Sequence, residues 1–495
     1  MKILLLSMPD SFEHTPTISI RMPNGALTSL AGNVDPHHRI AVADLVLVQN
    51  RVRASLEHLL DEIQPEVVGL SVMTFQRKTC RKIIELLRSR QPAIQIVVGG
   101  YDPSMAPEAY TCRDVDFIVR GEGEITFRDL LRSMETDHRY ENILGLSYQN
   151  ANRFRHNPDR PVTGLAGCEI KLPNRNARVL SGYTMLGRQI DVVETSRGCT
   201  FDCSFCSIIA MRGRQFHTFS LDRVLADIRD ARAHGARAIF LVDDNITLNV
   251  SRFEAICRAI IEARLNDLDY VVQAMTSAIA NHAETLVPLM RKAGFRYVFL
   301  GIENILEEDL KFLRAGSKNA RRENGHTAGN AAVQAIDALH RHKMYVAGGL
   351  IVGNPEDTRK SIEANLDFAR RYVDWPYIQH PTPYPRTPMT KDFYERDLII
   401  NENSEEYDGT TAVVRTAHLT AREVEFLRWR AERWMKLRHM PAVLLHSPWF
   451  TLRNGPKMFG HVFRGTTIKS LLGLEDEKRV FARYCAIRKA ERAYI

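Results

Sequence analysis

Two successive series of short apolar runs, alternating with amphipathic stretches, constrain the fold of this chain more than any other feature. The first series fills residues 1–140, where strand-like runs rich in β-branched residues are separated by helical patterns. This alternation predicts a doubly wound parallel sheet, whose ligands bind beyond the carboxyl ends of the strands. The second series begins at Gln189 and repeats the strand–helix unit six times, which predicts a partial (β/α)6 barrel.

The segments around the barrel differ from it in composition. Residues 141–188 are rich in Asn, Arg, Pro and Gly, and we interpret them as a linker with a small hairpin. The barrel is expected over residues 189–395, and residues 396–495 should form a basic, mostly helical segment. From Ala421 onward the chain carries 16 Lys and Arg against 7 Asp and Glu, whereas its whole formal charge is only +8. The positive charge therefore belongs to the last segment.

The composition excludes several classes of protein. No apolar run approaches the ~20 residues of a membrane span, and the first residues enter a strand pattern too soon for a signal peptide. We therefore expect a cytoplasmic protein. The eight cysteines do not form a dense disulfide framework, because three of them fall within eight residues and the others are scattered. This contrast points to a metal site at the three neighbouring cysteines.

These three are Cys199, Cys203 and Cys206, in the pattern C-x3-C-x2-C after the first strand of the second series. Thiolates at this spacing suit three irons of a [4Fe–4S] cluster and leave the fourth iron open to a substrate. The alternative is a zinc site, which usually closes with four ligands, and the nearest downstream histidine, His217, lies outside the loop. The pattern favours the cluster.

With this loop and the strands around it, residues 190–390 resemble the radical S-adenosylmethionine (SAM) superfamily. The resemblance implies a [4Fe–4S] cluster whose open iron binds SAM. It also implies reductive cleavage of SAM to a 5′-deoxyadenosyl radical, which abstracts hydrogen from an unactivated carbon. An electron donor such as flavodoxin or ferredoxin is the implied partner.

The resemblance further implies SAM contacts in the cysteine loop and at the ends of the second, fourth and fifth strands. The implied residues are Phe205, Asp243, Asp244, Asn245, Glu303, Gly349, Ile351, Gly353 and Glu356. Carboxylates suit the SAM ammonium group, and glycines let the adenine approach the backbone closely. The alternative for an Asp-Asp-Asn strand end is a turn or a helix cap.

The first series resembles the cobalamin-binding domain that precedes the barrel in one radical SAM class. The resemblance rests on the phrase Val-Val-Gly-Gly-Tyr-Asp-Pro-Ser and on the Gly-Glu-Gly-Glu that follows it. The implied cobalamin contacts are Ser71, Thr74, Gly99 and Gly100. The alternative is ordinary turn chemistry in an empty or repurposed domain. Because the D-x-H-x-x-G pattern of an axial histidine is absent, we expect no cobalt ligand from His14 or His37.

Two reactions stay open for such a chain. We favour cobalamin-dependent methyl transfer to a substrate carbon over an oxidative cyclase or hydroxylase of the anaerobic magnesium-protoporphyrin monomethyl ester cyclase type. A non-catalytic cobalamin or redox sensor is disfavoured, because a sensor needs no SAM contacts. The expected substrate is a small molecule, amphiphilic or lipid-like. The aromatic and basic C-terminal segment is interpreted either as a solvated cap or as a peripheral membrane contact, and not as a nucleic-acid surface.

Overall fold

The computed structural model describes residues 1–150, 153–162, 164–165, 169–323 and 326–495. It contains an α/β sheet, a partial barrel and a helical C-terminal region in this order. The fold class expected from the sequence is therefore confirmed.

The first domain is an α/β sheet whose parallel strands are covered by helices. Its elements in chain order are β1 (Lys2–Ser7), β2 (Ile20–Arg21), α1 (Gly25–Asn33), β3 (Arg39–Asp44), α2 (Val52–Ile63), β4 (Val67–Ser71), α3 (Arg77–Arg90), β5 (Gln95–Gly99), α4 (Tyr101–Met105), β6 (Phe117–Val119), α5 (Gly123–Glu135), β7 (Leu146–Asn150) and β8 (Arg153–His156). The strand order is β3-β1-β4-β5-β6-β7-β8, in which β3 to β6 pair in parallel. The predicted strands are continuous apolar runs because both faces of this sheet are buried.

The second domain is the partial barrel. Its elements in chain order are β9 (Thr184–Met185), β10 (Arg188–Val193), β11 (Ser196–Arg197), α6 (Ile208–Arg212), β12 (His217–Thr218), α7 (Leu221–Ala233), β13 (Ala238–Leu241), α8 (Val250–Glu262), β14 (Asp269–Met275), α9 (Thr276–Asn281), α10 (Leu286–Ala293), β15 (Phe295–Glu303), α11 (Glu307–Phe312), β16 (Ala320–Glu323), β17 (His326–Asn330), α12 (Ala332–Arg341), β18 (Tyr345–Ile351), α13 (Arg359–Tyr372), β19 (Trp375–Gln379) and α14 (Pro388–Glu395). The barrel sheet has the order β19-β18-β15-β14-β13-β10-β9-β2, and the six strands predicted for it are its parallel strands.

The predicted linker contributes strands to both sheets. Its hairpin of β7 and β8 continues the first sheet antiparallel to β6. Further along, β9 pairs with β10 and also with β2, which comes from the first twenty-one residues of the chain. Residues 141–188 therefore join the two domains by pairing, which local composition could not reveal.

The C-terminal region is helical, as expected. It consists of α15 (Ala421–His446), α16 (Pro448–Val462), α17 (Ile468–Leu471) and α18 (Glu477–Glu491). A capping box begins α15, because the Thr420 amide donates to Glu423 at 2.9 Å and the Glu423 amide donates to the Thr420 hydroxyl at 3.3 Å. Among the described residues, no helix combines the length and the apolar character needed to cross a bilayer.

A buried arginine fixes the chain as it enters the barrel. Arg175 lies 2.7 Å from both Asp227 and Asp230 on α7, and 3.0 Å from Asp191 on β10. Its guanidinium also donates to the Val192 carbonyl oxygen at 3.1 Å, and the residue is 3% exposed. Asp227 and Asp230 thus depend on this cation for compensation, while Asp191 also pairs with Arg178 at 2.7 Å.

Replacing this cation should destabilise the barrel. In an Arg175→Met variant the buried Asp227 carboxylate loses its ion-pair partner, so we expect the free energy of unfolding to fall by about 3–5 kcal/mol. Urea unfolding followed by circular dichroism measures this change. The matched control is Arg232→Met, whose guanidinium pairs with Asp267 at the surface and should cost less than about 1 kcal/mol. Equal losses in both variants would contradict the assignment.

Candidate active site

The cysteine loop begins directly after β11. Gly198 has φ +89°, and a Cβ atom there would lie 2.2 Å from the carbonyl oxygen of Gln215. Glycine is therefore required where the chain turns toward the cysteines. The Gly198 amide donates to the Asp244 carboxylate at 2.7 Å, which ties the loop to the end of β13.

The three thiols lie close enough to affect one another's ionisation. Burial raises the pKa of Cys203 to about 12 and the pKa of Cys206 to about 11. The side-chain amide of Asn245 donates to the Cys199 sulfur at 3.5 Å. Within the described part of the chain, these sulfurs are not among the groups whose ligand atoms all lie within 4.8 Å of one another, as they would be around one zinc ion. The donor set fits a cluster that spreads its thiolates over several irons.

Lys318 stands beside these thiols, although no motif pointed to it. Its Nζ atom lies 3.4 Å from the Glu303 carboxylate, and its side chain is 16% exposed. Burial opposes the positive charge, but Glu303 and the three cysteines together raise the pKa of Lys318 above its usual range. Glu303 itself adopts a left-handed φ of +60° at the end of β15. The strand end and the segment after α11 thus bring a carboxylate and an ammonium group to the cysteine loop.

The two aspartates that follow β13, Asp243 and Asp244, have different environments. The Asp243 carboxylate is buried and accepts hydrogen bonds from the Thr195 amide and from the hydroxyls of Thr195 and Ser196. Burial raises the pKa of Asp243 to about 6. These partners occupy Asp243 inside the protein, whereas the neighbouring Asp244 carboxylate faces the loop and lies 3.7 Å from Arg212.

The fifth-strand pattern is only partly brought to the cysteines. Ile351 belongs to the apolar cluster that contains Cys203, and Phe205 packs against this cluster. Gly349 precedes Ile351 by two residues on β18, so both residues face the same side of the sheet. Gly353 has φ +101°, and a Cβ atom there would lie 2.8 Å from Val424 on α15, so this glycine serves packing.

Glu356 lies at the protein surface. It is exposed and forms an ion pair with Arg396. Of the residues expected to contact SAM, this is the one that the structure carries to the surface.

A narrow, mainly apolar cleft opens at the carboxyl ends of β4 and β5, beneath α1 and α5. Its volume is about 100 Å³. Five glycines line it: Gly69, Gly99, Gly100, Gly121 and Gly123. At Gly100 φ is +99° and a Cβ atom would lie 3.0 Å from the Val72 nitrogen, while a Cβ atom at Gly69 would meet the Leu5 side chain at 2.6 Å. Glycine backbone and apolar side chains such as Leu30 and Phe127 therefore form the walls, and the narrow cleft suits a slender group such as part of the nucleotide tail of cobalamin.

The two hydroxyl side chains expected to contact cobalamin, Ser71 and Thr74, differ in their access to the cleft. Ser71 lines the cleft, and its hydroxyl accepts from Asn24 at 3.2 Å. The Thr74 hydroxyl is buried and donates to Asp102 at 2.8 Å, so it is already used.

The two histidines near the domain do not line the cleft. His14 is buried against Tyr377 and bonds to the Ile378 carbonyl oxygen at 2.8 Å. His37 lies 2.9 Å from Glu135. It precedes β3 and therefore lies at the amino-terminal ends of the strands, whereas the glycines lie at their carboxyl ends.

Arg197 joins the cysteine loop to the first domain. Its guanidinium lies 2.6 Å from Glu124 and 3.4 Å from Glu122, both beside the cleft glycines, and 2.8 Å from Glu194 on the barrel side. Burial raises the pKa of Glu124, but the Arg197 charge outweighs it and the pKa falls to about 2. Arg212 extends this network, because it lies 3.4 Å from Glu122 and reaches toward Asp244. The cleft and the thiols are thus held on two sides of one ion-pair network.

Comparison with protein families gives a match for the first domain and a match for the barrel. Residues 17–131 match the B12 binding domain, and residues 193–369 match the radical SAM superfamily. The chain is a radical SAM enzyme with a B12-binding domain. The radical SAM domain implies a [4Fe–4S] cluster and SAM as cofactors, and the B12-binding domain supports cobalamin as the third.

Curated relatives of this radical SAM enzyme carry out more than one reaction. An uncharacterized methyltransferase of Pyrococcus horikoshii is 26% identical over 87% of this chain and 91% of its own length. The anaerobic magnesium-protoporphyrin IX monomethyl ester cyclase of Synechocystis is also 26% identical, over 88% and 84%. The bacteriochlorophyllide d C-8(2)-methyltransferase of Chlorobaculum tepidum is 22% identical over 83% of each chain.

Solved structures share the fold. The radical SAM methyltransferase TsrM of Kitasatospora setae, with cobalamin and a [4Fe–4S] cluster bound, superposes with a TM-score of 0.63 at 19% identity, over 80% of this chain and 78% of its own. The cobalamin-dependent radical SAM enzyme OxsB, with aqua-cobalamin and SAM bound, gives 0.64 at 18% identity, over 99% and 71%. At these identities the likeness shows the fold alone.

The contact between Arg197 and Glu124 should be energetically coupled. We expect Arg197→Met to lower the free energy of unfolding by about 3–5 kcal/mol, since it leaves buried carboxylates without a cation. A double-mutant cycle with Glu124→Gln should then show a coupling energy of roughly 1–3 kcal/mol. Arg359→Met is the control, because Arg359 is exposed and lies 3.9 Å from the equally exposed Glu363 one turn along α13. If the effects of the two substitutions were additive, Arg197 and Glu124 would not be coupled, and the network would not link the cysteine loop to the first domain.

Proposed function

We propose that this enzyme transfers a methyl group to an unactivated carbon of a small-molecule substrate, with SAM, a [4Fe–4S] cluster and cobalamin as cofactors. The observation that carries the proposal is the glycine cleft, which lies across the Arg197 network from the three thiols. When bound, the cluster would supply the electron for SAM cleavage and cobalamin would supply the methyl group. Glycine-lined space at the carboxyl ends of parallel strands is where such a sheet binds its ligand, which supports cobalamin at this position.

In this proposal the protein holds SAM by charge at both ends of its amino-acid moiety. The Asp244 carboxylate faces the loop and suits an ammonium group, while Lys318 suits a carboxylate and is held next to the thiols by Glu303. Phe205 and Ile351 supply the apolar surface beside them. Asp243 supports the strand end through Thr195 and does not contact SAM directly.

The second candidate is oxidative cyclisation or hydroxylation. It is favoured by the cyclase of Synechocystis, which matches this chain as extensively as the methyltransferase relative does. The two reactions share the cluster loop and the barrel, so a product analysis under anaerobic conditions separates them.

Reductive cleavage of SAM tests the catalytic core. Anaerobically reconstituted and reduced protein should form 5′-deoxyadenosine from SAM, as measured by liquid chromatography. Replacing Cys199, Cys203 and Cys206 together by Ala should remove all iron, because the proposal gives the chain a single cluster. Cys112→Ala, an exposed cysteine elsewhere, should keep its iron. Retention of about four irons in the triple variant would refute the single-cluster assignment.

Cobalamin binding tests the cleft. Protein supplied with cobalamin should show a bound, base-off corrinoid spectrum, and His37→Ala should leave this spectrum unchanged. Gly100→Leu should abolish binding, because φ is +99° there and its Cβ atom would press on the Val72 backbone and the Ser71 hydroxyl beside the cleft. Ala26→Trp fills the same cleft from α1 without a backbone constraint, so it guards against misfolding of the first variant. An enzyme that turns over substrate without any corrinoid absorption would refute cobalamin-dependent methyl transfer.

We also propose an amphiphilic or lipid-like substrate and peripheral contact with an anionic membrane through α16. This helix exposes Trp449 (84%) and Leu452 (67%) next to Arg453 and Lys457. Exposed aromatic and aliphatic side chains beside basic ones suit a lipid headgroup region. A reduced electron donor such as flavodoxin or ferredoxin, and a cytoplasmic location, stay predictions.

Vesicle binding tests this contact. The double variant Trp449→Ser, Leu452→Ser should bind vesicles that contain phosphatidylglycerol at least tenfold more weakly than the wild type, because each side chain loses about 1.5–3 kcal/mol of burial. The matched control is Val333→Ser, Ile400→Ser, which removes exposed apolar side chains elsewhere. Equal binding by the wild type to purely zwitterionic vesicles would contradict the role of the basic residues.

A further inference from the structure

The interior of the barrel is hollow and apolar. Along the central strands, residues that face outward are buried against the helices, as Val272, Val298 and Val346 show. Their inward-facing neighbours stay half-exposed, and Gln273 is fully exposed although it lies on a central strand. A (β/α) barrel normally fills its interior with side chains. Here the inner face instead surrounds a chamber of about 480 Å³, which is within the usual size of small-molecule sites.

Aromatic side chains form about a third of the residues that line the chamber. Tyr297 on β15 and Tyr345 on β18 are paired residues near the start of their strands, which is the lower level of the chamber. Two residues further along β15, Phe299 lies beside Trp375 and Tyr377 of β19. The rings of Phe299 and Tyr377 meet edge to face, with centroids 5.3 Å apart. Such a wall favours a ligand with ring systems, because aromatic faces and edges both offer contact area.

The chamber has no formal charge. Among the described residues that line it there is no Asp, Glu, Lys or Arg. Burial lowers the pKa of His14 to about 4, so this histidine is neutral near pH 7. The polar groups are few, and the amides of Gln273 and Gln379 are the largest of them. A charged ligand group would lose its hydration in this chamber and find no counter-charge.

The proposed SAM site lies further along the same strands than the aromatic residues of the chamber. Directly above its aromatic levels, β15 and β18 contribute Gly301 and Gly349, which pair with each other. One step higher on the same inner face lie Glu303 and Ile351, beside Lys318 and the cysteine cluster. A ligand that fills the chamber thus presents its upper end to the radical.

We infer that the substrate of this enzyme has a neutral, ring-bearing, predominantly apolar body that occupies the barrel chamber, with its reacting carbon at the level of Gly301 and Gly349. This inference rests on the proposed function and names the substrate class of that site. It excludes nucleotides and free amino acids as the part of the substrate that fills the chamber, because both are charged.

A pair of probes with one ring system tests the inference. N-phenyl-1-naphthylamine is neutral, and 8-anilinonaphthalene-1-sulfonate has the same rings with an anionic sulfonate. In equilibrium dialysis with the reconstituted full-length enzyme, we expect one equivalent of the neutral probe to bind at least about tenfold more tightly than the sulfonate. Equal binding of both probes would overturn the inference.

Variants assign the binding to the chamber. Ala347→Phe places a large side chain on its inner face and should weaken binding of the neutral probe by at least about tenfold. The matched control, Ala233→Phe on the exposed face of α7, should bind the probe as the wild type does. Gln273→Glu keeps the volume and adds a charge, so it should also weaken binding, which covers the case of a misfolded Ala347→Phe. Unchanged binding in the folded chamber variants would refute the inference.

The proposed function is measured separately in the wild type by formation of 5′-deoxyadenosine from SAM. Probe binding without SAM cleavage would refute the function and leave the character of the chamber standing. SAM cleavage without preference for the neutral probe would refute only the substrate class.

Discussion

The arrangement of this enzyme depends on the buried guanidinium of Arg197, which neutralises carboxylates from two domains at once. Glu124 and Glu122 come from the loop beside the cleft glycines, and Glu194 comes from the end of the first barrel strand. Since Arg197 is followed directly by Gly198 and Cys199, the same contact that joins the domains also fixes where the cysteine loop begins. Removing one charge would leave the others buried without compensation, so the joint has a strong energetic reason to stay closed.

The two domains form their cavities differently on the two sides of the Arg197 contact. In the first domain, glycines such as Gly69 and Gly100 bring backbone to the walls of a narrow cleft. In the barrel, aromatic side chains such as Phe299 and Trp375 surround an open chamber instead of filling it. The Arg197 network joins the first space to the cysteine loop, and Glu303 and Ile351 carry the inner face of the barrel to Lys318 and the cysteine cluster. A cofactor tail on one side and an apolar substrate on the other would thus approach the same centre.

Local patterns were enough to predict the alternating strands and helices, the cysteine loop and the paired glycines Gly99 and Gly100, because each of these signals is contained in a few neighbouring residues. Contacts between distant segments were not predictable in this way. Lys318 meets the thiols only through the return of the chain after β15, and residues 141–188 were interpreted as a linker because pairing with two sheets leaves little trace in composition. Glu356 matched a sequence pattern, yet it lies at the surface beside Arg396.

The most direct test of this account is the magnetic interaction between the two metal cofactors that Arg197 is argued to hold together. Electron paramagnetic resonance of the reduced enzyme loaded with cob(II)alamin should show spin coupling between the corrinoid and the reduced cluster. In Arg197→Met this coupling should weaken while both cofactors stay bound. A wild-type spectrum that is the simple sum of two independent centres would contradict the account, as would a coupling that Arg197→Met leaves unchanged.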